Sequence, residues 1–260
     1  MSEDLLLVER KGNICTLTIN RPERRNSLNP EIMQKLGDTL LSLKDDPEVR
    51  AVVIRGKGEE AFSSGFDIGR IATGPGAPRP GAIVEYSMKS LLAYPYPTIA
   101  MIYGYCVGLG LELAVTCDFR IAAQSAKLGI TPAKLGLVYG YIGVQKFLNL
   151  VGLAGTRELF LVGRIIDAQR AKEIRLVDYL VPTADLEATT YALAQEVAEN
   201  APLSLSGIKA VISTLFKYQK YSPEEVALME KLRDQAQQSE DLKEGQRAFL
   251  EKRKPRWVGR

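Results

Sequence analysis

Two segments of this 260-residue chain share one local pattern: an apolar run that indicates a strand, a turn containing glycine, and the start of a helix. The sequence SSGFD at residues 63–67 follows the strand-like residues 52–54, and GYCVGLGLEL at residues 104–113 follows 98–102. A helix start presents unpaired backbone N–H groups and the positive end of a dipole. Two such turns that face each other can hold a carbonyl oxygen as it gains negative charge. The pattern predicts an α/β fold and chemistry on an activated carbonyl.

One carboxylate, Glu112, follows the second turn and lies among apolar residues. A charge buried there for structure alone would be costly, and buried ionisable groups beside a turn of this kind often transfer protons. We therefore interpret Glu112 as the candidate acid or base.

Composition favours one large domain with an appended lobe, because 46% of the residues are hydrophobic and 25% are charged. The first residues, MSEDL, are acidic and lack the features of a secretory signal, so we expect a cytoplasmic protein. The apolar run at 97–117 approaches membrane-spanning length. It contains three glycines and Glu112, which favours a buried strand, turn and helix over a membrane segment.

The formal net charge of +3 is too small to indicate a general nucleic-acid surface. Two local basic clusters stand out: Arg21, Arg24 and Arg25 around a proline, and the tail at 252–260 with five basic residues and no acidic one. Each is either a solvated face or a contact with the phosphates of a substrate.

The chain contains no histidine and only three cysteines, with no Cys-x-x-Cys pair. Hydrolases that use an imidazole base, zinc sites with histidine ligands and disulfide scaffolds are therefore not expected. We expect no metal site, and proton transfer falls to carboxylates, lysine, tyrosine, cysteine or water.

The order of predicted elements indicates an α/β core followed by helices. A strand is predicted over 14–20, a helix over 30–44 with Asn29 as its cap, and further strands over 51–54, 119–122 and 128–130. Later helices are predicted near 143–150, 156–161, 191–198, 203–216, 223–238 and 242–252. The predicted division is a core at 1–200 and a helical region at 201–260. The Gly/Pro-rich residues 73–81 form either a mobile loop over the site or a surface connection.

The glycines at 104, 108 and 110 also match the spacing of a nicotinamide-binding turn in short-chain dehydrogenases. Such enzymes place that turn near the N-terminus and need a Tyr-x-x-x-Lys pair, which none of the eleven tyrosines forms. A phosphate-binding loop of the Gly-x-x-x-x-Gly-Lys-Ser/Thr type is also missing. We expect no nucleotide cofactor of this kind.

A series of motifs, in order along the chain, resembles the crotonase family, the enoyl-CoA hydratase/isomerase group. They are TINRP at 18–22 with NSLN at 26–29, AFSSGFDI at 61–68, the segment 104–113 with CDFRIA at 117–122, KLGL at 134–137, LVG at 150–152 and FLEKRKP at 249–255. The resemblance spans nearly the whole chain. It implies an α/β fold of the crotonase (ClpP/crotonase-like) type, a spiral of ββα units with a helical C-terminal trimerisation region. It also implies a homotrimer or a homohexamer.

Carried over by position, the resemblance assigns the oxyanion hole to the backbone N–H groups of Phe66 and Leu109, and acid/base catalysis to Glu112. It places Tyr139 and Tyr141 beside the acyl group, as acids or as pocket wall. The positions it assigns to coenzyme A contacts are Arg24, Arg25, Ser27, Leu28, Ser64, Asp67, Ile68 and Lys252. Lys252 or a basic neighbour would reach the phosphates of a substrate bound by an adjacent subunit. Coenzyme A enters as part of the substrate, and no separate cofactor is implied.

The chain departs from the hydratase pattern at the second catalytic glutamate, where it has Pro132, and at Gly140, where some isomerases and dehalogenases have aspartate. Three reactions stay open. Glu112 alone could activate water on a conjugated, including a cyclic, enoyl-CoA, which is our first expectation and suggests a place in fatty-acid metabolism. It could instead move a proton in enoyl-CoA isomerisation, or the oxyanion hole could stabilise an enolate made by decarboxylation or C–C cleavage. A non-catalytic or RNA-binding scaffold is the further alternative.

Overall fold

The computed structural model describes residues 4–67, 81–216 and 221–259. Its strands are β1 (Leu6–Lys11), β2 (Ile14–Ile19), β3 (Ala51–Gly56), β4 (Ala61–Ser63), β5 (Thr98–Ile102), β6 (Tyr105–Val107), β7 (Phe119–Ala123), β8 (Lys127–Gly129), β9 (Ile166–Asp167) and β10 (Tyr179–Val181). Its α-helices are α1 (Pro30–Lys44), α2 (Gly81–Ala93), α3 (Leu109–Thr116), α4 (Tyr141–Arg157), α5 (Ala168–Glu173), α6 (Leu186–Ala198), α7 (Pro202–Phe216), α8 (Pro223–Gln238) and α9 (Glu240–Leu250).

Two sheets share the strands in alternation. One sheet has the order β1-β2-β3-β5-β7-β10 and the other the order β4-β6-β8-β9. Consecutive strands such as β3 and β4, or β5 and β6, therefore enter different sheets, and the chain winds as a spiral. Neighbouring strands pair in parallel throughout the series β2, β3, β5, β7 and β10. The chain must therefore cross over outside the sheet between them.

The helix α1 shows how the sequence fixes an element. The Asn29 side chain accepts a hydrogen bond from the Ile32 amide at 2.8 Å, and Pro30 occupies the first turn. Leu36 and Leu40 are buried along one face of the helix. The predicted helix over 30–44 is confirmed.

The main core lies beneath α1, α2 and α3 and takes apolar side chains from both sheets. A second, smaller core joins the other face of the larger sheet to α6 through Leu186, Ala194 and Val197. The short turns at the ends of β4 and β6 are thereby attached to a rigid support on both sides.

Several elements differ from the sequence prediction. The strand β6 lies within the second glycine segment, between Gly104 and Gly108, and was not predicted. The same holds for β1, β4, β9, β10, α2 and α5. Helix α4 continues to Arg157 through a kink at Gly152, whose φ is 66°, and passes into a π-helical turn at Glu158–Val162. The predicted helix start after Phe66 and most of the Gly/Pro-rich segment 73–81 lie outside the described residues.

From residue 201 onward the described elements are helices, as predicted, with α8 confirmed over residues 223–238. Helix α7 is held to the core by Lys209, whose ammonium contacts Asp118 at 2.6 Å and donates to the Tyr96 carbonyl at 2.8 Å. The division at residue 200 stays a prediction. A search of the described helices for one long and apolar enough to cross a bilayer found none.

Candidate active site

The two glycine turns predicted from the sequence contact each other. Gly65 has a φ of +95° and Gly108 a φ of +56°, which glycine adopts without strain. A Cβ atom on Gly65 would lie 2.8 Å from the Val107 carbonyl oxygen and 3.4 Å from the Leu109 amide nitrogen. Only the missing side chain at Gly65 allows the turns to approach this closely.

The amides of Phe66 and Leu109 lie in these two turns. Leu109 is the first residue of α3, so its N–H lacks an intrahelical acceptor. In the described part of the chain, no hydrogen bond is found from either nitrogen. Both turns thus offer a backbone donor close to Gly65, one of them at the positive end of a helix.

The segment predicted to follow the coenzyme pairs with the first turn. The Leu28 amide donates to the Gly65 carbonyl at 2.7 Å, and the Asp67 amide donates to the Leu28 carbonyl at 2.8 Å. The Ser64 amide donates to the Arg25 carbonyl at 2.9 Å. Six of the eight predicted contact positions, those in 24–28 and 64–67, are therefore brought together.

Their side chains differ in exposure. Leu28 and Ser27 are buried, whereas Arg24 and Arg25 are exposed. Arg25 contacts Glu60 at 2.6 Å, which leaves Arg24 as the more available cation of the pair.

Arg21, from the same basic cluster, points inward instead. Its guanidinium donates to the Ser27 carbonyl and hydroxyl, both at 3.1 Å, and lies 3.5 Å from Asp67. Ile68 lies outside the described residues. Lys252 follows α9 in the chain and is exposed. No described hydrogen bond or ion pair joins it to residues 24–28.

Glu112 is held by two side chains that the fold brings to it. Its Oε2 accepts a hydrogen bond from the Tyr139 hydroxyl at 2.6 Å, and its Oε1 lies 3.1 Å from the Lys146 ammonium. Glu112 is one turn after Leu109 on α3, which places both residues on one helix face. The carboxylate is therefore close to the oxyanion-hole helix start and engaged on both oxygens.

Tyr139 reaches Glu112 because Gly143 leaves space. A Cβ atom on Gly143 would lie 2.7 Å from the Tyr139 ring and 3.3 Å from Glu112 Oε1. The ring also packs edge-on against Phe160, with 5.4 Å between centroids. Burial of the hydroxyl, followed by the negative charge of Glu112 and the hydrogen bond to it, raises the pKa of Tyr139 well above its ordinary value. Tyr139 is thus a neutral donor over the physiological pH range.

Three other positions complete the surroundings. Tyr141 packs against Tyr221, with ring centroids 5.9 Å apart, and no described hydrogen bond joins it to Glu112. Pro132 is buried and opens a 3₁₀ turn at Pro132–Leu135, so no carboxylate stands there. The Arg233 guanidinium, from α8, lies 3.6 Å from where a Gly140 Cβ would be.

Sequence reasoning missed Lys146 and Arg233. Lys146 did leave a signal, since it stands between Val144 and Phe147 in an apolar part of α4. An isolated lysine in such a stretch needs a buried partner. Arg233 left none, because α8 carries charges on every side.

The comparisons with known proteins show the family and the fold. The profile described as Enoyl-CoA hydratase/isomerase matches residues 9–260. The chain belongs to the enoyl-CoA hydratase/isomerase family. It is 35% identical, over the full length of both chains, to a probable enoyl-CoA hydratase of Mycobacterium tuberculosis.

Two solved structures have the same fold as this chain. An enoyl-CoA hydratase/carnithine racemase from Magnetospirillum magneticum is 33% identical and matches with a TM-score of 0.80 over 100% of this chain and 97% of the other. A methylmalonyl-CoA decarboxylase in complex with 2-nitronate-propionyl-CoA is 28% identical and matches with a TM-score of 0.93 over 100% of both. The predicted crotonase fold is confirmed, this family member is an enzyme, and an acyl-CoA thioester substrate fits the family.

Proposed function

We propose that this enzyme decarboxylates a 2-carboxyacyl-CoA, a thioester whose α-carbon bears a carboxylate. The bond between the α-carbon and the carboxylate breaks, CO₂ leaves, and the electron pair enters the thioester to form an enolate. The amides of Phe66 and Leu109 hold the enolate oxygen. The α-carbon then takes up one proton, which gives the shorter acyl-CoA.

The observation that carries this proposal is the state of the one carboxylate. Glu112 is engaged on both oxygens, by Tyr139 and by Lys146, and Pro132 stands where a hydratase of the family has its second glutamate. Hydration needs one group to take a proton from water and a path to give one to carbon. Decarboxylation needs no base, because loss of CO₂ itself creates the enolate, and stabilisation of that charge is the main requirement.

The surroundings of Tyr139 suit an anionic acyl group. The Tyr139 hydroxyl already donates its proton to Glu112, so the positive charge that Arg233 contributes from α8 is the feature that suits an anion here. Arg233 contacts Glu230 at 3.6 Å, a loose pair in which the guanidinium keeps donors for other acceptors. The hydrogen-bonded unit of Tyr139 and Glu112 is also suited to relay the final proton. The TM-score of 0.93 with the decarboxylase supports the same substrate class.

Hydration of an enoyl-CoA is the second candidate, favoured by the name of the relative that is 35% identical over both full lengths. In that reaction Glu112 would take the proton from water, with Tyr139 orienting it. In isomerisation Glu112 would instead move a proton between the α- and γ-carbons of the enoyl-CoA.

One experiment separates the candidates. The purified enzyme is given methylmalonyl-CoA and 2-enoyl-CoAs of several chain lengths, with CO₂ release and loss of the conjugated double bond measured in parallel. The proposal expects CO₂ release, which Glu112→Gln reduces but does not abolish. Enoyl-CoA turnover without CO₂ release, abolished by Glu112→Gln, would establish hydration or isomerisation instead, and a 3-hydroxyacyl-CoA product would identify hydration.

The remaining assignments belong to the same proposal. We place the coenzyme along Arg24, Ser64 and the neighbouring backbone, with Lys252 acting on a substrate in an adjacent subunit. No separate cofactor is needed for this chemistry. The exposed apolar side chains of α7, including Leu203 and Ile212, support assembly into a homotrimer or homohexamer.

A further inference from the structure

Lys146 makes more contacts with α3 than a surface lysine would. Its ammonium lies 3.1 Å from Glu112 Oε1 and donates to the Thr116 hydroxyl at 2.9 Å. The Thr116 hydroxyl in turn donates to the Glu112 carbonyl at 2.7 Å. The three residues form a closed network in which both the backbone and the side chain of Glu112 are fixed.

This network is largely removed from solvent. The side chain of Lys146 is 13% exposed and that of Glu112 is 9% exposed. A buried ion pair is costly to form, so it contributes little net stability compared with apolar residues of similar size. Holding α4 to α3 is therefore a weak explanation for it. A functional site, where a charge has to be present and also balanced, explains it better.

The charges around the acyl end supply the reason. Within residues 4–67, 81–216 and 221–259, the charged and titratable groups that face this carboxylate are Lys146 on α4, Tyr139 before α4 and, acting through Tyr139, Arg233 on α8. Tyr139 is neutral because burial and Glu112 raise its pKa. Without Lys146, Glu112 would repel a carboxylate on the substrate, since like charges at short range in a buried site oppose each other strongly. With Lys146, the pair carries no net charge.

We propose that Lys146 is a positioning residue that orients Glu112 and cancels its charge, so that the site accepts an acyl group bearing a carboxylate. The inference rests on the proposed function, because it names what the acyl end of that site recognises. Lys146 acts through Glu112 and does not itself touch the substrate.

The test compares two ligands that differ in charge. Calorimetry measures the binding of 2-carboxypropyl-CoA, which is anionic at the acyl end, and of S-propyl-CoA, the same thioether without the carboxylate. The variants are Lys146→Met, Lys146→Arg and the uncharged pair Lys146→Met/Glu112→Gln. Lys35→Met is the control, since Lys35 forms an exposed ion pair with Glu31 on α1.

We expect Lys146→Met to weaken the binding of 2-carboxypropyl-CoA on the order of a hundredfold, as when one partner of a buried charge pair is removed. Its binding of S-propyl-CoA changes less than about threefold, because a neutral ligand is not repelled by the uncompensated charge of Glu112. Lys146→Arg keeps the preference for the anionic ligand, and the uncharged double variant regains it. The double variant also serves if Lys146→Met alone fails to fold.

Two results would overturn the inference. Equal weakening of both ligands would make Lys146 a structural residue, and unchanged binding of both would make it dispensable. Failure of the proposed function is seen separately, in the unmodified enzyme: no CO₂ from methylmalonyl-CoA and no preference for the anionic ligand. That result would also contradict the inference that Lys146 lets the site accept an acyl group bearing a carboxylate.

Discussion

The hydroxyl of Tyr139 joins the segment before α4 to the carboxylate of Glu112 on α3. It donates to Glu112 at 2.6 Å while its ring is fixed against Phe160. Because the ring packing does not depend on the hydroxyl, chemistry and structure can be separated at this residue.

Tyr139→Phe should lower kcat about a hundredfold, the usual contribution of a positioned acid, while the melting temperature stays nearly constant. Since the pKa of Tyr139 is raised above its ordinary value of 10.0, its ionisation should not reduce the activity of the unmodified enzyme below pH 10. Steady-state kinetics over a pH series checks both points. Tyr179→Phe, at an exposed tyrosine of β10, is the control. An unchanged kcat in Tyr139→Phe would remove the hydroxyl from the mechanism.

Much of the site followed from the sequence because its parts are local. Phe66, Leu109 and Glu112 belong to two turns whose glycines are visible in the chain, and the structure brings those turns into contact. Lys146 did not follow, since 34 residues separate it from Glu112 and only the packing of α4 on α3 joins them.

At the scale of elements, α8 connects the C-terminal helices to the acyl end. Its Arg233 lies beside Gly140, where any larger side chain would approach the guanidinium. The helix itself is well defined by a capping box, in which Ser222 and Glu225 satisfy each other's backbone amides.

Arg233→Met should raise the KM for a carboxylated acyl-CoA by about tenfold to a hundredfold and leave kcat within about threefold, because a charge-assisted contact that is equal in ground and transition state affects binding alone. Arg233→Lys should keep part of this binding. Steady-state kinetics with methylmalonyl-CoA tests both variants. A fall in kcat with constant KM would contradict a binding role for Arg233.

The segment after α9 is held by two carboxylates, Asp241, which accepts hydrogen bonds from the Val258 and Gly259 amides at 2.6 and 3.0 Å, and Glu244. Glu244 contacts Arg253 at 2.5 and 2.9 Å and accepts a hydrogen bond from the Arg256 amide at 2.8 Å. These contacts, the Arg253 hydrogen bond first, lower the pKa of Glu244 from 4.5 to about 2.

This stabilisation is therefore present above pH 4.5 and is lost as the pH falls towards 2. The chain has one tryptophan, Trp257, which lies in this segment. Acrylamide quenching of Trp257 should increase across that range before the helical circular dichroism decreases, and Glu244→Gln should show the increase at pH 7. Coincident changes in both signals would mean that the segment unfolds only with the whole chain.

Element boundaries were predictable where side chains mark them, as with Asn29 and Pro30 at the start of α1. They failed where tertiary pairing decides. The three residues of β6 form a strand because they pair with β4 and β8, and three residues show too little alternation to indicate this. The start of α2 at Gly81 follows a Gly/Pro-rich stretch that carries no helix signal.

At the scale of the whole molecule, one face of α7 is apolar and uncovered in the single chain. Leu203 is 88% exposed, and Ile208, Val211, Ile212 and Leu215 are each more than half exposed. The opposite side of the helix is anchored by Leu205 and Lys209. The order of elements along the chain predicted the architecture, but exposure of this face depends on the packed structure, because α7 is apolar on both sides.

Substitution of Ile208→Asp with Ile212→Asp should convert an assembly of three or six 28.7 kDa chains into monomers, since burying two charges in an apolar contact is strongly unfavourable. Light scattering coupled to size exclusion measures the mass. Val8→Asp, at an exposed valine of β1, should leave the assembly intact. A monomeric unmodified enzyme would contradict the proposed oligomer.

The central claim is that two backbone amides hold the thioester oxygen. The surroundings of Tyr139 bind an anionic group on the α-carbon. A crystal structure of the complex with 2-nitronate-propionyl-CoA tests this most directly. The account predicts the thioester oxygen at about 2.7–3.1 Å from the nitrogens of Phe66 and Leu109, with the nitronate towards Tyr139. A thioester oxygen bound away from those amides, or a nitronate on the side opposite Tyr139, would contradict it.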